Sequence, residues 1–344
     1  MRTNLLAVLA VIVATWVAGC GRQVEPEPLP DEELDIPGIL GGRCASGGFC
    51  NDGLLCSDDN VCVDDPAEGE GEGAEGEGEG EGEPACAVDA DEDGSCSDVD
   101  CDDNDRLRFP GNNERCDYVD SNCDNRMNDD LDCTFLAHDR DTIFRIDPFA
   151  ETSTLFREVT LISNASLLDI DSDVNGDLLA VTSAGLFRVE SNGSLTAVVN
   201  APAPPGTNGL AITGEGTKFL TNDDGADSAA FKIVDDALVE VGGFSAGFVS
   251  SGDCVVTKEE DLLMSAKLST GTANDRLVQI DAATGATTDI GSIGFRRVFG
   301  LSASFGFLFG VTVEGQIIEI DRATGAGVLL FDTNVGFNGA ANGD

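Results

Sequence analysis

The segment Asp89-Ala90-Asp91-Glu92-Asp93-Gly94-Ser95 places carboxylates at alternate positions and then a glycine where the chain must turn sharply. Counting from Asp89, Ser97 falls at the ninth place and Asp100 at the twelfth. Alternation sends successive side chains inward as such a loop wraps, so their oxygens converge on one point. A hard divalent cation needs such an arrangement, since it takes about six to eight oxygens at about 2.3–2.6 Å. A second stretch, Asp120-Ser121-Asn122-Cys123-Asp124 with Asn128, Asp129 and Asp130, repeats the alternation with Asn125 at the turn. Asparagine tolerates a left-handed backbone, so the turn survives there. The candidate ligands are therefore Asp89, Asp91, Asp93, Ser97 and Asp100 in the first loop, and Asp120, Asn122, Asp124 and Asp129 in the second.

These residues sit in a stretch with little to bury. Residues 86–133 carry sixteen acidic residues against four basic ones, which repel one another unless a cation lies among them. Cys86, Cys96, Cys101, Cys116, Cys123 and Cys133 supply the other brace, because an even set of cysteines in an exported chain reads as a disulfide framework. The first loop has the ligand spacing of an EF-hand-type loop, with Asp100 in place of the usual closing Glu. Calcium is the expected cation: the ligands are oxygens, the thiols are oxidised, and His138 is the only histidine. The competing reading is a disulfide knot with a solvated acidic surface.

The series Asp100-Cys101-Asp102-Asp103, Phe109-Pro110-Gly111, Glu114-Arg115-Cys116-Asp117 and Asp120-Ser121-Asn122-Cys123-Asp124 to Asp129-Asp130 resembles the metal-binding motif of MopE-like bacterial surface proteins. That resemblance covers about fifty residues, implies a calcium-type site, and brings copper as the alternative metal. Tyr118 and Asn125 stand where the motif has glycines, which puts the geometry of the second loop in question.

The remainder of the chain must present this module. Residues 1–19 resemble a lipoprotein signal peptide ending in Val17-Ala18-Gly19-Cys20, with Cys20 as the lipidated residue. Residues 20–40 form a polar tether. Residues 41–64 hold Cys44, Cys50, Cys56 and Cys62 at equal spacing, a small disulfide knot; four thiolates on zinc would need closer pairs. Residues 65–85 repeat Glu-Gly, a disordered acidic spacer. Localisation follows as the cell envelope, lipid-anchored in the outer membrane and surface-exposed. The net charge of −45 repels nucleic-acid phosphates and excludes them as partners.

From residue 134 the texture becomes short β-rich runs. Ile143–Asp147, Leu186–Glu190, Phe231–Asp235, Leu277–Asp281 and Ile317–Asp321 recur at intervals of 40 to 46 residues. A period near forty with about four strands per unit is the signature of a β-propeller, and the run resembles bacterial propellers with the phrase L.RIDP.TG. The first unit lacks a strand and Gly336–Ala341 resembles the missing element, so the expectation is a five-bladed ring over 134–344 closed by its carboxy-terminal residues. The fold class is thus mainly β, a C-terminal propeller preceded by disulfide-rich modules and acidic linkers; an open β-sandwich is the competitor. Cys254 reads as a buried strand thiol and His138 as a strand or loop residue. Asp169, Asp171, Asp173, Asp223, Asp224 and Asp227 are placed in loops or strand ends within reach of the channel, where a calcium-dependent, lactonase-like hydrolase would need them. The function expected is non-enzymatic: an envelope binding protein whose propeller recognises a protein or glycan.

Overall fold

The computed structural model describes residues 54–56, 62–64, 88–162, 165–199, 202–245, 247–270 and 273–343. The signal segment, Cys20, the tether, Cys44, Cys50, the Glu-Gly spacer and Cys86 lie outside them. The chain divides into two compact units, Met1–Gly82 and Glu83–Asp344. In the first, β1 (Leu54–Cys56) and β2 (Cys62–Asp64) form an antiparallel pair with Cys56 opposite Cys62. No described helix is long and apolar enough to cross a membrane.

The second unit holds twenty strands in five four-stranded antiparallel sheets. Blade 2 runs β6 (Asp169–Ser172), β7 (Leu178–Thr182), β8 (Gly185–Val189) and β9 (Leu195–Val199). Blade 3 follows as β10 (Thr207–Ile212), β11 (Lys218–Asn222), β12 (Ala229–Val234) and β13 (Ala237–Gly243). Blade 4 comprises β14 (Phe248–Val256), β15 (Leu262–Leu268), β16 (Arg276–Ile280) and β17 (Thr287–Ser292). Blade 5 comprises β18 (Val298–Ser304), β19 (Phe307–Thr312), β20 (Gln316–Ile320) and β21 (Gly327–Asp332). Blade 1 is composite: β3 (Phe135–His138), β4 (Thr142–Asp147) and β5 (Thr152–Glu158) accept β22 (Gly339–Ala341) as the innermost strand, with Gly339 opposite His138. Carboxy-terminal residues thus close a five-bladed propeller. The repeated segments read from the sequence are the third strands of their blades.

Burial explains the texture of the strands. Inner strands are covered on both faces, β14 along all nine residues, whereas outer strands such as β13 and β21 expose about half of theirs. Five apolar clusters lie where blades meet: Phe219 and Ala230 of blade 3 pack on Phe248 and Met264 of blade 4, and Phe135 and Ile146 of blade 1 on Phe309 and Val311 of blade 5. Each fully buried large side chain there contributes roughly 1.5–3 kcal/mol.

Near the axis the backbones approach so closely that only glycine fits at some positions. A Cβ on Gly300 would stand 2.7 Å from the Gly339 carbonyl carbon, and one on Gly339 would collide with Asp169 Oδ1 and His138 Nε2.

Candidate metal centre

The first acidic loop is wound by its own carboxylates. Asp89 Oδ1 accepts from the Glu92 amide at 2.7 Å and its Oδ2 from Gly94 at 3.1 Å. Asp91 Oδ1 accepts from Asp93 N, and Asp93 Oδ1 from Ser95 N. Glu92 and Gly94 take left-handed backbones, which the glycine adopts without steric cost. Asp89, Asp91 and Asp93 thereby bring one oxygen each within 4.8 Å of one another. The loop is tied to its surroundings by Ala90 N on Asp103 Oδ1 and Arg106 Nη2 on the Glu92 carbonyl, both 3.0 Å.

Using one oxygen of each carboxylate for the loop leaves the other facing inward. Asp91 Oδ2, Asp93 Oδ2 and Asp100 Oδ2 are all buried and have no hydrogen-bond partner. The Asp91 carboxyl is held above its ordinary range, by burial first and then by the charges of Asp93, Asp100 and Asp89. Unpaired, buried and mutually repelling carboxylate oxygens are what a divalent cation neutralises, so these donors fit a hard ion. Ser97 gives its amide to the Val88 carbonyl at 3.1 Å.

The second loop repeats three of the four hydrogen bonds of the first and lacks the one from its fourth place to its first carboxylate. Asp120 Oδ2 accepts from Asn125 N, Asn122 Oδ1 from Asp124 N, and Asp124 Oδ1 from Arg126 N, at 2.8 to 3.0 Å. Cys123 and Asn125 take the left-handed backbones that Glu92 and Gly94 take in the first loop. Asn125 therefore does the work of the glycine. Asp120 Oδ1 is buried and unpartnered, and Asp129 Oδ1 meets Asn122 Nδ2 at 3.4 Å. The twelfth place, however, is Leu131, which is exposed and offers no oxygen from its side chain. Asp124 is exposed as well. The first loop is the better assembled of the two.

Disulfides and one glutamate hold the pair together. Cys101–Cys123 joins the end of the first loop to the second, Cys116–Cys133 ties the second loop to the start of the propeller, and Cys96 is also disulfide-bonded. Asp100 lies beside the Cys101 and Cys123 sulfurs, but sulfurs bonded to each other are not thiolate ligands. Glu114, whose role the sequence did not disclose, accepts from Ser121 N and Asn122 N with Oε1 and from Asn128 N with Oε2, at 2.8–2.9 Å. Its place two residues before Cys116 in an acidic stretch gave no signal beyond the motif.

Residues 100–129 match a metal-binding family. It is described as "Putative metal-binding motif", the copper-labelled MopE type, and the match spans the second loop, the Cys101–Cys123 bridge and Glu114. No curated protein matches the chain. Among solved structures, similarity extends to a gluconolactonase from Xanthomonas campestris (14% identity, 61% of this chain and 74% of that one, TM-score 0.42). Virginiamycin B lyase from Staphylococcus aureus shares 15% identity over 60% of this chain and 72% of that one, TM-score 0.36. A protein of unknown function from Bacteroides caccae shares 13% over 58% and 72%, TM-score 0.38.

The MopE-type motif is docked on the ring through Tyr118, one of its departures from the family pattern. The ring of Tyr118 packs edge-on against Phe149 at 5.0 Å and Phe307 at 5.6 Å, and its hydroxyl donates to Glu319 Oε2 at 2.9 Å. Asp132, just before the propeller, pairs with Arg145 of β4. The module thus sits on the seam between blades 1 and 5.

The propeller's own acidic residues are placed differently from the sequence reading. Asp169 opens β6, at the strand end the sequence suggested, and Asp171 lies within the strand, but both are buried. Asp169 Oδ2 accepts from Leu210 N at 2.6 Å and Asp171 Oδ2 from Ile212 N at 2.8 Å, both on the next blade. Asp253 Oδ2 does the same for Leu301 N at 2.6 Å, and Asp275 Oδ2 for Val298 N at 2.8 Å. These carboxylates staple neighbouring blades. Asp173 closes a turn onto Asn175 N and Asp177 N. Burial pushes the Asp171 carboxyl up to about 7 and holds those of Asp169 and Asp253 well above the usual range, Asp253's charge adding to it at Asp169. His138, buried beside them with Nε2 3.8 Å from Asp169 Oδ1, is pushed down to about 4 by burial. Cys254 is buried, and burial raises its thiol. A charged residue inside an otherwise apolar strand, as in Asp253-Cys254-Val255-Val256, was the available signal for the staples.

Asp223 is the member of the set that lines the axial cleft, a space of about 600 Å³ where the inner strands begin, and it is paired with Lys267 at 2.8 Å. Beyond it, Asp224 caps the short turn of 3-10 helix at Gly225–Asp227 and Asp227 ends it.

Proposed function

We propose that this chain is a calcium-binding, envelope-tethered recognition protein, in which the acidic module braces a propeller that presents the binding face. One observation supports the cation most directly: four buried carboxylate oxygens of the module without partners, three of them in a loop whose other oxygens already hold its backbone. Asp89, Asp91, Asp93 and Asp100 would hold the ion in the first loop, and Asp120, Asn122 and Asp129 a weaker one in the second. The ion supplies positive charge alone, so its role is structural. Glu114, the disulfides and Tyr118 transmit that rigidity to the seam of the ring. Calcium titrated into the full chain by calorimetry should give saturable heat, largely lost in Asp91→Ala; an absence of heat in the wild-type protein overturns the reading.

Copper is the second reading, carried by the label of the matched family. Against it, the described cysteines of the module are in disulfides and His138 lies in the propeller. Metal analysis of protein purified without chelators separates the two. The lipid anchor on Cys20 and outer-membrane placement belong to the same proposal, tested by fatty-acid labelling that Cys20→Ala abolishes. A hydrolase would need a free base at the axial cleft, and there Asp223 is held by Lys267 while His138 is buried. Calcium-dependent turnover of a lactone would shift the reading to an enzyme.

A further inference from the structure

The cleft at the propeller axis has a lining unlike the rest of this acidic molecule. Six of the described arginines are committed to carboxylates: Arg108, Arg145, Arg188, Arg276, Arg297 and Arg322. Arg140, at the cleft, is exposed and has no ion pair among the described residues. The carboxylates flanking it in sequence do not line the cleft and are bonded within their own turn, Asp139 accepting from Asp141 N and Thr142 N, and Asp141 from the Thr142 hydroxyl. With Lys267 the lining carries two cations against Asp223 alone. In a chain of net charge −45 this is a local reversal of sign.

The remaining lining residues are neutral and of two kinds. Asn208 lines the cleft with its amide side chain, Nδ2 donating to the Ser250 carbonyl. Asn338 presents a second amide side chain, its backbone N–H being already given to the His138 carbonyl. Phe299 supplies an apolar face, with the Arg297 guanidinium 5.5 Å from its ring centre. A matching ligand has one carboxylate, several hydroxyls that both donate and accept, and one apolar C–H face. A uronic-acid residue has all three.

We propose that the axial cleft binds an acidic saccharide, with Arg140 receiving the uronate carboxylate, Asn208 and Asn338 its hydroxyls, and Phe299 its C–H face. This rests on the propeller being the recognition element, and it names the ligand class of that face. Charge-assisted hydrogen bonds of this kind are worth about ten- to a hundredfold in affinity.

The test is calorimetry on the full chain with trigalacturonate, with maltotriose as the uncharged probe and a tripeptide with a free carboxylate as the non-sugar probe. Saturable binding of trigalacturonate is expected, at least tenfold tighter than either comparison, weakened about tenfold or more in Arg140→Ala and partly restored in Arg140→Lys. Arg140 is exposed, so the variant should retain its circular dichroism and its calcium response. Equal affinity for maltotriose, equal affinity for the peptide, an unchanged Arg140→Ala, or silence of trigalacturonate each overturns the acidic-saccharide inference. Recognition by the propeller is judged separately, by adhesion of the purified chain to envelope material. Adhesion blocked by Asn208→Trp would keep that role even if the saccharide class failed.

Discussion

At the residue scale, the carboxylates of this chain divide into two kinds that composition alone does not separate. Asp91, Asp93, Asp100 and Asp120 of the module spend one oxygen on backbone amides and leave the other buried and unpaired. Those of β6 and β14 span the blades and sit in an interior that favours their protonated form. Asp171 makes a prediction with a definite sign. Its folded value of about 7 exceeds the ordinary carboxylate value of 3.8, so the folded chain holds a proton that the unfolded chain has released. Its contribution to stability is therefore present at low pH and is lost as pH rises from about 4 through about 7, by roughly 4 kcal/mol in all. His138 acts oppositely: pushed down to about 4, it costs stability as pH falls below 6.5. Denaturant titrations at pH 5 and pH 8 should show Asp171→Asn losing less stability across that interval than the wild type; an equal loss counts against the burial argument. Cys254 offers a second check, since its raised thiol should resist alkylation in folded protein and react only on unfolding.

At the scale of elements, the two acidic loops share three of four hydrogen bonds to their backbones, and much of that was legible. Alternating aspartates and the turn residue at the sixth place gave the winding of both loops, including the tolerance of Asn125 for a left-handed backbone. The third strand of each blade was also readable, because apolar-polar alternation that recurs five times at one period is what a ring of like blades requires. The brace at Glu114 and the anchor at Tyr118 were not. Both depend on which amides or rings stand opposite in three dimensions, and spacing along the chain carries no such information. Tyr118 registered in the sequence as a departure from the glycine of the motif, whereas its ring spans module and propeller. Tyr118→Ala should cost about 1–2 kcal/mol of stability through two lost ring contacts and a hydrogen bond, and it should make the module cleave faster under limited proteolysis. Glu114→Ala should act more severely, since three backbone amides lose their acceptor. An unchanged cleavage pattern in both variants would mean that the module is held by its disulfides alone.

At the scale of the whole molecule, a net charge of −45 is spread along the chain, −28 over residues 1–133 and −17 over the propeller, whose interblade clusters are nonetheless apolar. Five interblade clusters make the ring stable on its own terms, while the module has few buried apolar side chains. Chelation should therefore act unequally. With EDTA, proteolysis should accelerate within residues 88–133 while the ring's melting temperature changes little; uniform protection of both regions would remove the cation from the account. The inner carboxylate staples showed in the sequence only as charged residues within apolar strands, and their partners were hidden for a related reason. An aspartate in a short strand looks like a strand end until the neighbouring blade is in place to receive it.

The partnership of Gly339–Ala341 with β3 has a bearing on how the protein is made. Blade 1 begins to emerge from the ribosome about two hundred residues before the segment that completes it, so β3 must wait with an open edge until Gly339–Ala341 is made. Nascent chains are thus open to misassociation until their last stretch arrives, and a chaperone that shields that edge would act on every molecule produced. A bulky side chain grafted at Gly339 should leave translation intact and yet yield insoluble product, because the ring would never lock.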